Sequence, residues 1–321
     1  MDSNPSITTE RHYGVLQKLL LRLLTGAVVT LALMMGPSSP YAAAATTIRP
    51  SLEIKSIPAG DSTWSYYEGG EGPTLLLIHG FSSNKDVWLS LAQKLVTRFH
   101  LIIPDLPGWG ESTRIEKGNY DIDAQAARLD AFILALDLRN VVLVGHSMGG
   151  AIAGTYAADR QGRANRLALL GPQGLSFDEN DFIRDLDAGK NPFVYDDRAG
   201  VERTADLVYL NPPVMTNQQV DAAIAGNRAN RDFIETTLKQ IRHPTQWLAL
   251  DSRQGKMSLP VLGIWCREDK VIDISASQTL RSGLADNRLK DNFTLEGCNH
   301  LPMIERPVET AKILTDFAIG N

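Results

Sequence analysis

From Leu52 the chain alternates apolar and polar positions as far as Tyr67, broken by Pro58, Gly60 and Asp61. That is the pattern of two short antiparallel strands joined by a turn, a hairpin suited to a sheet edge. The pattern then changes. Thr74-Leu75-Leu76-Leu77-Ile78 is a short apolar run with no polar face, as in a strand of a parallel sheet covered by helices on both sides. Strands and helices alternate beyond it: a helix over 87–97, a strand over 100–104, a helix over 123–136, a strand over 140–144, a small-residue helix over 149–158 and a strand over 166–170. A doubly wound, mostly parallel α/β sheet is the economical expectation.

The alternation lapses near Gly171 and resumes at Pro260-Val261-Leu262-Gly263-Ile264-Trp265, another buried strand. Within the gap, at about 173–256, Phe182, Ile183, Leu186, Leu207, Val208 and Tyr209 recur at helical spacing beside a polar stretch around Asn227 to Arg231. This predicts an inserted, mostly helical cap. A helix near 275–284, a strand over 292–295 and an amphipathic helix over 307–319 close the chain, and there are no internal repeats.

The first 45 residues follow other rules. Arg11, Lys18 and Arg22 precede an apolar stretch from Leu23 to Met35, then Pro37, Pro40 and the alanines Ala42 to Ala45. That order is a secretory signal, with cleavage expected after Ala44. A helix started from Val15, with Lys18 and Arg22 snorkelling, would instead be long enough to remain as a membrane anchor. An ordinary buried helix is the third alternative. Either of the first two places the protein outside the cytoplasm, periplasmic, secreted or membrane-anchored, with residues 46–321 as the folded domain.

Composition narrows the function. A chain of 321 residues that is 43% hydrophobic can bury a sizeable core. Its net charge of −5, spread over mixed signs, gives no basic stripe for a phosphate backbone, so no nucleic-acid partner is expected. The usual metal-site spacings are absent, and neither metal nor cofactor is expected.

Against this background one motif carries chemistry. Gly145-His146-Ser147-Met148-Gly149 lies between the strand ending at Val144 and the small-residue helix, the setting in which a G-x-S-x-G turn lifts a nucleophilic serine clear of the sheet. The bland alternative is a glycine-rich turn that happens to hold a serine. A serine hydroxyl needs a base. Of the six histidines, His300 follows the last predicted strand and so reaches the same carboxyl edge as Ser147, whereas His79 and His146 sit inside turns where an imidazole ties backbone together. Asp269 follows the strand ending at Trp265-Cys266 and is the expected partner of that imidazole, with Glu268 and Asp273 as fallbacks. The chain order Ser147, Asp269, His300 is that of an α/β-hydrolase triad. The Met148 amide opens the helix after the serine, and Phe81, in His79-Gly80-Phe81 after the first parallel strand, is the natural source of the second oxyanion-hole N–H.

From about Leu52 onward the chain resembles the α/β-hydrolase superfamily. Besides the elbow, Asp105-Leu106-Pro107-Gly108-Trp109-Gly110-Glu111-Ser112 resembles the family's loop after its next strand, and His300-Leu301-Pro302-Met303-Ile304-Glu305-Arg306-Pro307 its histidine segment. With its hydrophobic leader and the cap stretches Gly189 to Phe193 and Tyr209 to Pro213, the chain is similar to bacterial lipases and membrane-anchored monoacylglycerol lipases. The resemblance implies hydrolysis of acylglycerol esters through an acyl-enzyme, on a lipid or small ester substrate, with membrane association through the leader or the cap. The same fold hosts carbon–carbon bond hydrolases, the main alternative, and a non-catalytic binding module is a remote one. Cys266 stands where many relatives have glycine. In this fold the strands before Cys266 and Cys298 are neighbours, so the two cysteines form either a disulfide or a pair of buried thiols.

Overall fold

The computed structural model describes residues 52–160, 162–284 and 288–320; the leader predicted over residues 1–45 lies outside them. The described residues form an eight-stranded sheet in the order β1-β2-β4-β3-β5-β6-β7-β8. The expected hairpin is β1 (Glu53–Ala59) and β2 (Ser62–Gly69), paired antiparallel from Glu53↔Glu68 to Ala59↔Ser62. β3 (Thr74–Ile78), β4 (His100–Pro104), β5 (Val141–His146), β6 (Ala164–Leu170), β7 (Val261–Cys266) and β8 (Leu289–Leu295) run parallel, and β2 joins β4 antiparallel. Strand order reverses around β3. There the loops leaving β3 and β5 diverge, and a crevice opens at the carboxyl ends of the strands.

β8 starts three residues earlier than the apolar pattern suggests, because only Leu289, Asn292 and Leu295 are even half-buried. An edge strand with little cover on its faces carries no run of apolar residues to announce it. The inner strands β3, β5 and β7 are buried almost throughout.

The helices begin where the sequence can satisfy their first amides. α1 (Leu89–Leu95) follows a 3-10 turn over Lys85–Trp88 whose cap is Asn84. α2 (Ile122–Ala135) is capped by Asp121, which accepts from the Ala124 amide, and α3 (Met148–Asp159) starts straight from the serine turn. Between β6 and β7 lie α4 (Asp181–Asp187), α5 (Arg198–Val208), α6 (Asn217–Ile241) and α7 (Pro244–Trp247). α6 opens on a capping box made by Thr216 and Gln219. Its polar stretch has a purpose that the pattern does not show. Asn227 is buried, accepting from the Tyr195 amide at 2.9 Å and donating to the Phe193 carbonyl at 2.8 Å, and so straps the chain between α4 and α5 onto the long helix. α8 (Ala276–Gly283), α9 (Pro302–Glu305) and α10 (Pro307–Ile319) complete the chain.

Buried polar groups fix the loops at the crevice. Lys85 Nζ lies 2.7 Å from Asp105 Oδ2 and 2.7 Å from Glu111 Oε2, and Asp105 also accepts from the Lys85 and Glu111 amides. Burial alone would lower the Lys85 pKa; the two carboxylates outweigh it and hold the ammonium above its ordinary value. His79 donates from Nδ1 to the Gly80 carbonyl at 2.8 Å and accepts from the Leu106 amide at Nε2, 2.9 Å. His146 donates from Nε2 to the His300 carbonyl at 2.7 Å. Burial depresses the pKa of both imidazoles, and the neighbouring His300 pushes that of His146 further down. Finally, Cys266 and Cys298 form a disulfide with Cα atoms 5.3 Å apart, joining the loops that leave β7 and β8.

Two outcomes follow from these tethers. The denatured, unreduced protein is expected to show no titratable thiol, and Cys298→Ser to lose about 3–4 kcal/mol, roughly 10 °C in Tm, from opening a loop of this length. Two free thiols in the untreated protein would overturn the pairing. His79 and His146 take up protons at lower pH in the fold than in the unfolded chain, which does so near pH 6.5. Their contribution is therefore fully present above that pH and is lost as the pH falls below it. Urea midpoints between pH 7.5 and 5 are expected to fall, less steeply in His146→Gln, which keeps a donor for the His300 carbonyl; equal slopes in both proteins would contradict this.

Candidate active site

Ser147 sits between β5 and α3 with φ 52° and ψ −122°, a left-handed conformation that a residue with a side chain rarely takes. The turn is held from both sides. The Ser147 amide donates to Leu170 O at 3.1 Å, and the Ser147 carbonyl accepts from Gly150, Ala151 and Gln173. Such a turn needs the helix to start hard against the sheet. A Cβ on Gly149 would stand 2.3 Å from the Ile78 carbonyl oxygen, and one on Gly80 would stand 3.0 Å from the Ser147 Cβ. Glycine at these places is what lets β3, the loop after it and α3 converge on the serine.

His300 and Asp269 are buried together, 5% and 9% exposed. His300 Nδ1 lies 2.9 Å from Asp269 Oδ2 and 3.1 Å from Oδ1, and Oδ1 also accepts from the Val271 and Ile272 amides at 2.8 and 2.9 Å. A carboxylate that already accepts two amides can only accept from the ring, so Nδ1 carries the proton and Nε2 keeps its lone pair. That is the tautomer a general base needs. The fallback acids lie elsewhere: Glu268 accepts from the Gly297 amide, and Asp273 from the Ser275 amide. His100 pairs with Glu68 and Thr74, and His243 with Thr245. His12 lies outside the described residues.

Ser147, Phe81 and Met148 share a narrow cavity of about 40 Å³. Met148 is the first residue of α3, so its N–H has no intrahelical acceptor and faces the turn with the positive end of the helix. The remaining wall is apolar, with Phe182, Phe193, Leu238, Ile241, Trp247, Val271 and Ile272 joined by Gln173. Phe81 is the pivot of an aromatic chain. Its ring is 5.3 Å from Phe193 and 5.2 Å from Trp109, Phe193 is 5.9 Å from Phe182, and Trp109 is 4.8 Å from Phe233 on α6. The chain runs from the core loops into the segment between β6 and β7 and closes the cavity on that side.

All five residues singled out from the sequence therefore lie at the carboxyl edge of the sheet, with Asp269 and His300 in direct contact and Ser147, Phe81 and Met148 around one cavity. Sequence reasoning missed Asn299, Glu305 and Gln173. Gln173 donates its amide to the Ser147 carbonyl and its Nε2 to Trp247 O at 2.9 Å, linking the elbow to α7. Nothing in its local spacing marks it out; only its place in the loop after β6 could have.

Comparison with known proteins gives the family. A family model described as the alpha/beta hydrolase fold matches residues 73–307. A monoacylglycerol lipase of Bos taurus is 32% identical over 77% of this chain and 76% of its own length, and Lipase 3 of a Moraxella species is 29% identical over 94% and 99%. Among solved structures, a membrane phospholipase A described as a bacterial virulence factor is 32% identical, covers 95% of this chain and 98% of its own, and superposes with a TM-score of 0.80. By sequence and by structure, the chain belongs to the α/β-hydrolase family.

Proposed function

We propose that this protein hydrolyses carboxylic esters of lipids, of the acylglycerol type, with Ser147 as nucleophile, His300 as general base and acid, and Asp269 as the group that orients and charges the imidazole. The observation that carries the reading is the Asp269–His300 pair, bonded through Nδ1, at the sheet edge where Ser147 stands on its left-handed turn. With the proton fixed on Nδ1, Nε2 takes the serine proton as Oγ attacks the ester carbonyl. The Phe81 and Met148 amides receive the developing oxyanion, the alcohol leaves with the proton from Nε2, and water releases the acid by the reverse sequence.

The substrate class is supported by the apolar wall of the cavity and by relatives named as lipases, a monoacylglycerol lipase and a phospholipase A. The helices between β6 and β7, within the predicted 173–256, act in this reading as a cap that holds the acyl chain. We further propose that the protein works outside the cytoplasm, its 1–45 leader cleaved after Ala44 or kept as an anchor; a disulfide next to the site accords with an oxidising compartment.

In a p-nitrophenyl acyl ester series, wild-type protein is expected to favour medium or long chains. Ser147→Ala should abolish turnover and Asp269→Asn lower kcat about 10³–10⁴-fold, the loss that follows when the imidazole is held in the wrong tautomer. Full activity in Ser147→Ala, or no ester turnover by folded wild type, would overturn the reading. Filling the acyl cavity by Leu238→Trp should lower the long-chain to short-chain ratio of kcat/KM about tenfold, the discrimination that one or two methylenes command; an unchanged ratio would remove the cavity from the acyl path.

A further inference from the structure

The loops carrying Asp269 and His300 come from β7 and from the edge strand β8. The disulfide joins them three residues before the aspartate and two before the histidine. A tether at that remove fixes the stems but leaves the tips. Asn299 acts at the tips. It is wholly buried, and its Oδ1 accepts from the amide of Lys270, the residue after Asp269, at 2.8 Å. Its Nδ2 spends both hydrogens on the Leu207 and Tyr209 carbonyls, at 3.0 and 3.1 Å, and its own amide donates to Glu305 Oε2 at 2.8 Å. The partners fix which end of the side chain is which: an amide hydrogen needs an acceptor, and two carbonyls need donors.

Leu207 and Val208 end α5, and the last carbonyls of a helix have no intrahelical donor. Here the histidine loop supplies those donors, Asn299 to Leu207 O and the His300 amide to Val208 O at 3.1 Å. Glu305 Oε1 continues the seam by accepting from the Leu210 and Asn211 amides at 2.9 and 3.2 Å. The C-terminus of a helix from the segment over the cavity is thus capped by the catalytic histidine and its neighbour. A displacement of α5 cannot leave His300 in place without leaving the Leu207 and Val208 carbonyls short of a donor.

We propose that Asn299 is a positioning residue that sets the Asp269–His300 pair and couples it to the end of α5, so that movement of the cap is felt at the base. The proposal rests on the triad assignment above but not on the substrate. Its test is therefore the rate at which a fluorophosphonate labels Ser147 in the purified full chain, with melting curves alongside. Asn299→Ala is expected to lower the maximal labelling rate about tenfold or more, to change the half-saturating concentration by less than about threefold, and to have less than about a twofold effect in an Asp269→Asn background, because residues acting as a unit are not additive. The same factor in both backgrounds, or a change confined to the half-saturating concentration, would overturn it.

Asn299→Asp is the second variant, should the alanine protein fail to fold. It keeps the shape and the Lys270 bond but turns one oxygen towards both the Leu207 and Tyr209 carbonyls, and a similar loss of labelling is expected. Wild-type labelling in Asn299→Asp would overturn the coupling to α5. If Ser147 labels normally in wild type yet no ester turns over, the substrate reading fails and the labelling rates still decide this one. Absence of labelling in wild type would overturn both.

Discussion

The left-handed turn at Ser147 is the constraint on which the rest of the molecule depends. A side chain at φ 52° is strained by about 1–3 kcal/mol, and such a turn persists only where its surroundings over-determine it. Here β5 is buried along its whole length, and α3 is buried from Met148 to Ala158. The helix can lie so near the sheet only because Met148 is followed by Gly149, Gly150 and Ala151. The strain is thus borne by the best-packed part of the protein, and the reward is a serine oxygen standing above the sheet beside an uncommitted helix amide.

The other half of the site is held differently. β8 is an exposed edge strand, but the histidine loop that leaves it is buried from Cys298 to Met303, with Leu301 and Met303 in the hydrophobic core. Specific bonds add to that packing: the Cys266–Cys298 disulfide at the stems, the His146 ring against the His300 carbonyl, the Asp269 carboxylate pinned by two amides, and Asn299 across both tips. His146 joins the two halves, because it belongs to the serine turn and bonds the histidine loop. Its ring lies 4.6 Å from that of His300, and burial, with His300 beside it, holds its pKa well below the ordinary value.

The segment between β6 and β7 meets this frame through apolar surface on one side and hydrogen bonds on the other. Phe81, Phe182 and Phe193 form part of the cavity wall, and the aromatic chain continues behind them through Trp109 to Phe233, each pair adding about 0.5–1.5 kcal/mol beyond its buried area. The α5 terminus instead docks on polar groups of the histidine loop. The cavity wall is therefore mostly apolar, whereas the seam next to His300 is directional, made of hydrogen bonds with fixed partners.

Elements buried on both faces were legible in the sequence because burial leaves an unbroken apolar run, as in Leu75 to Ile78 and Val141 to Val144. The serine turn was legible because its strain demands glycine at fixed offsets, and the loop ends bearing Asp269 and His300 followed from strand order. The first residues of β8 were not, since an edge strand needs no apolar pattern, and the two cysteines, although on neighbouring strands, could be read as bridged or free until their Cα separation of 5.3 Å was in view. Asn227, Gln173 and Asn299 are polar residues in stretches that look like ordinary surface or loop. Their roles depend on carbonyls and amides distant in the chain, such as Leu207 O, 92 positions from Asn299. Local periodicity records which side of an element is dry, whereas the partner of a buried hydrogen bond is chosen only when the chain has brought both groups together.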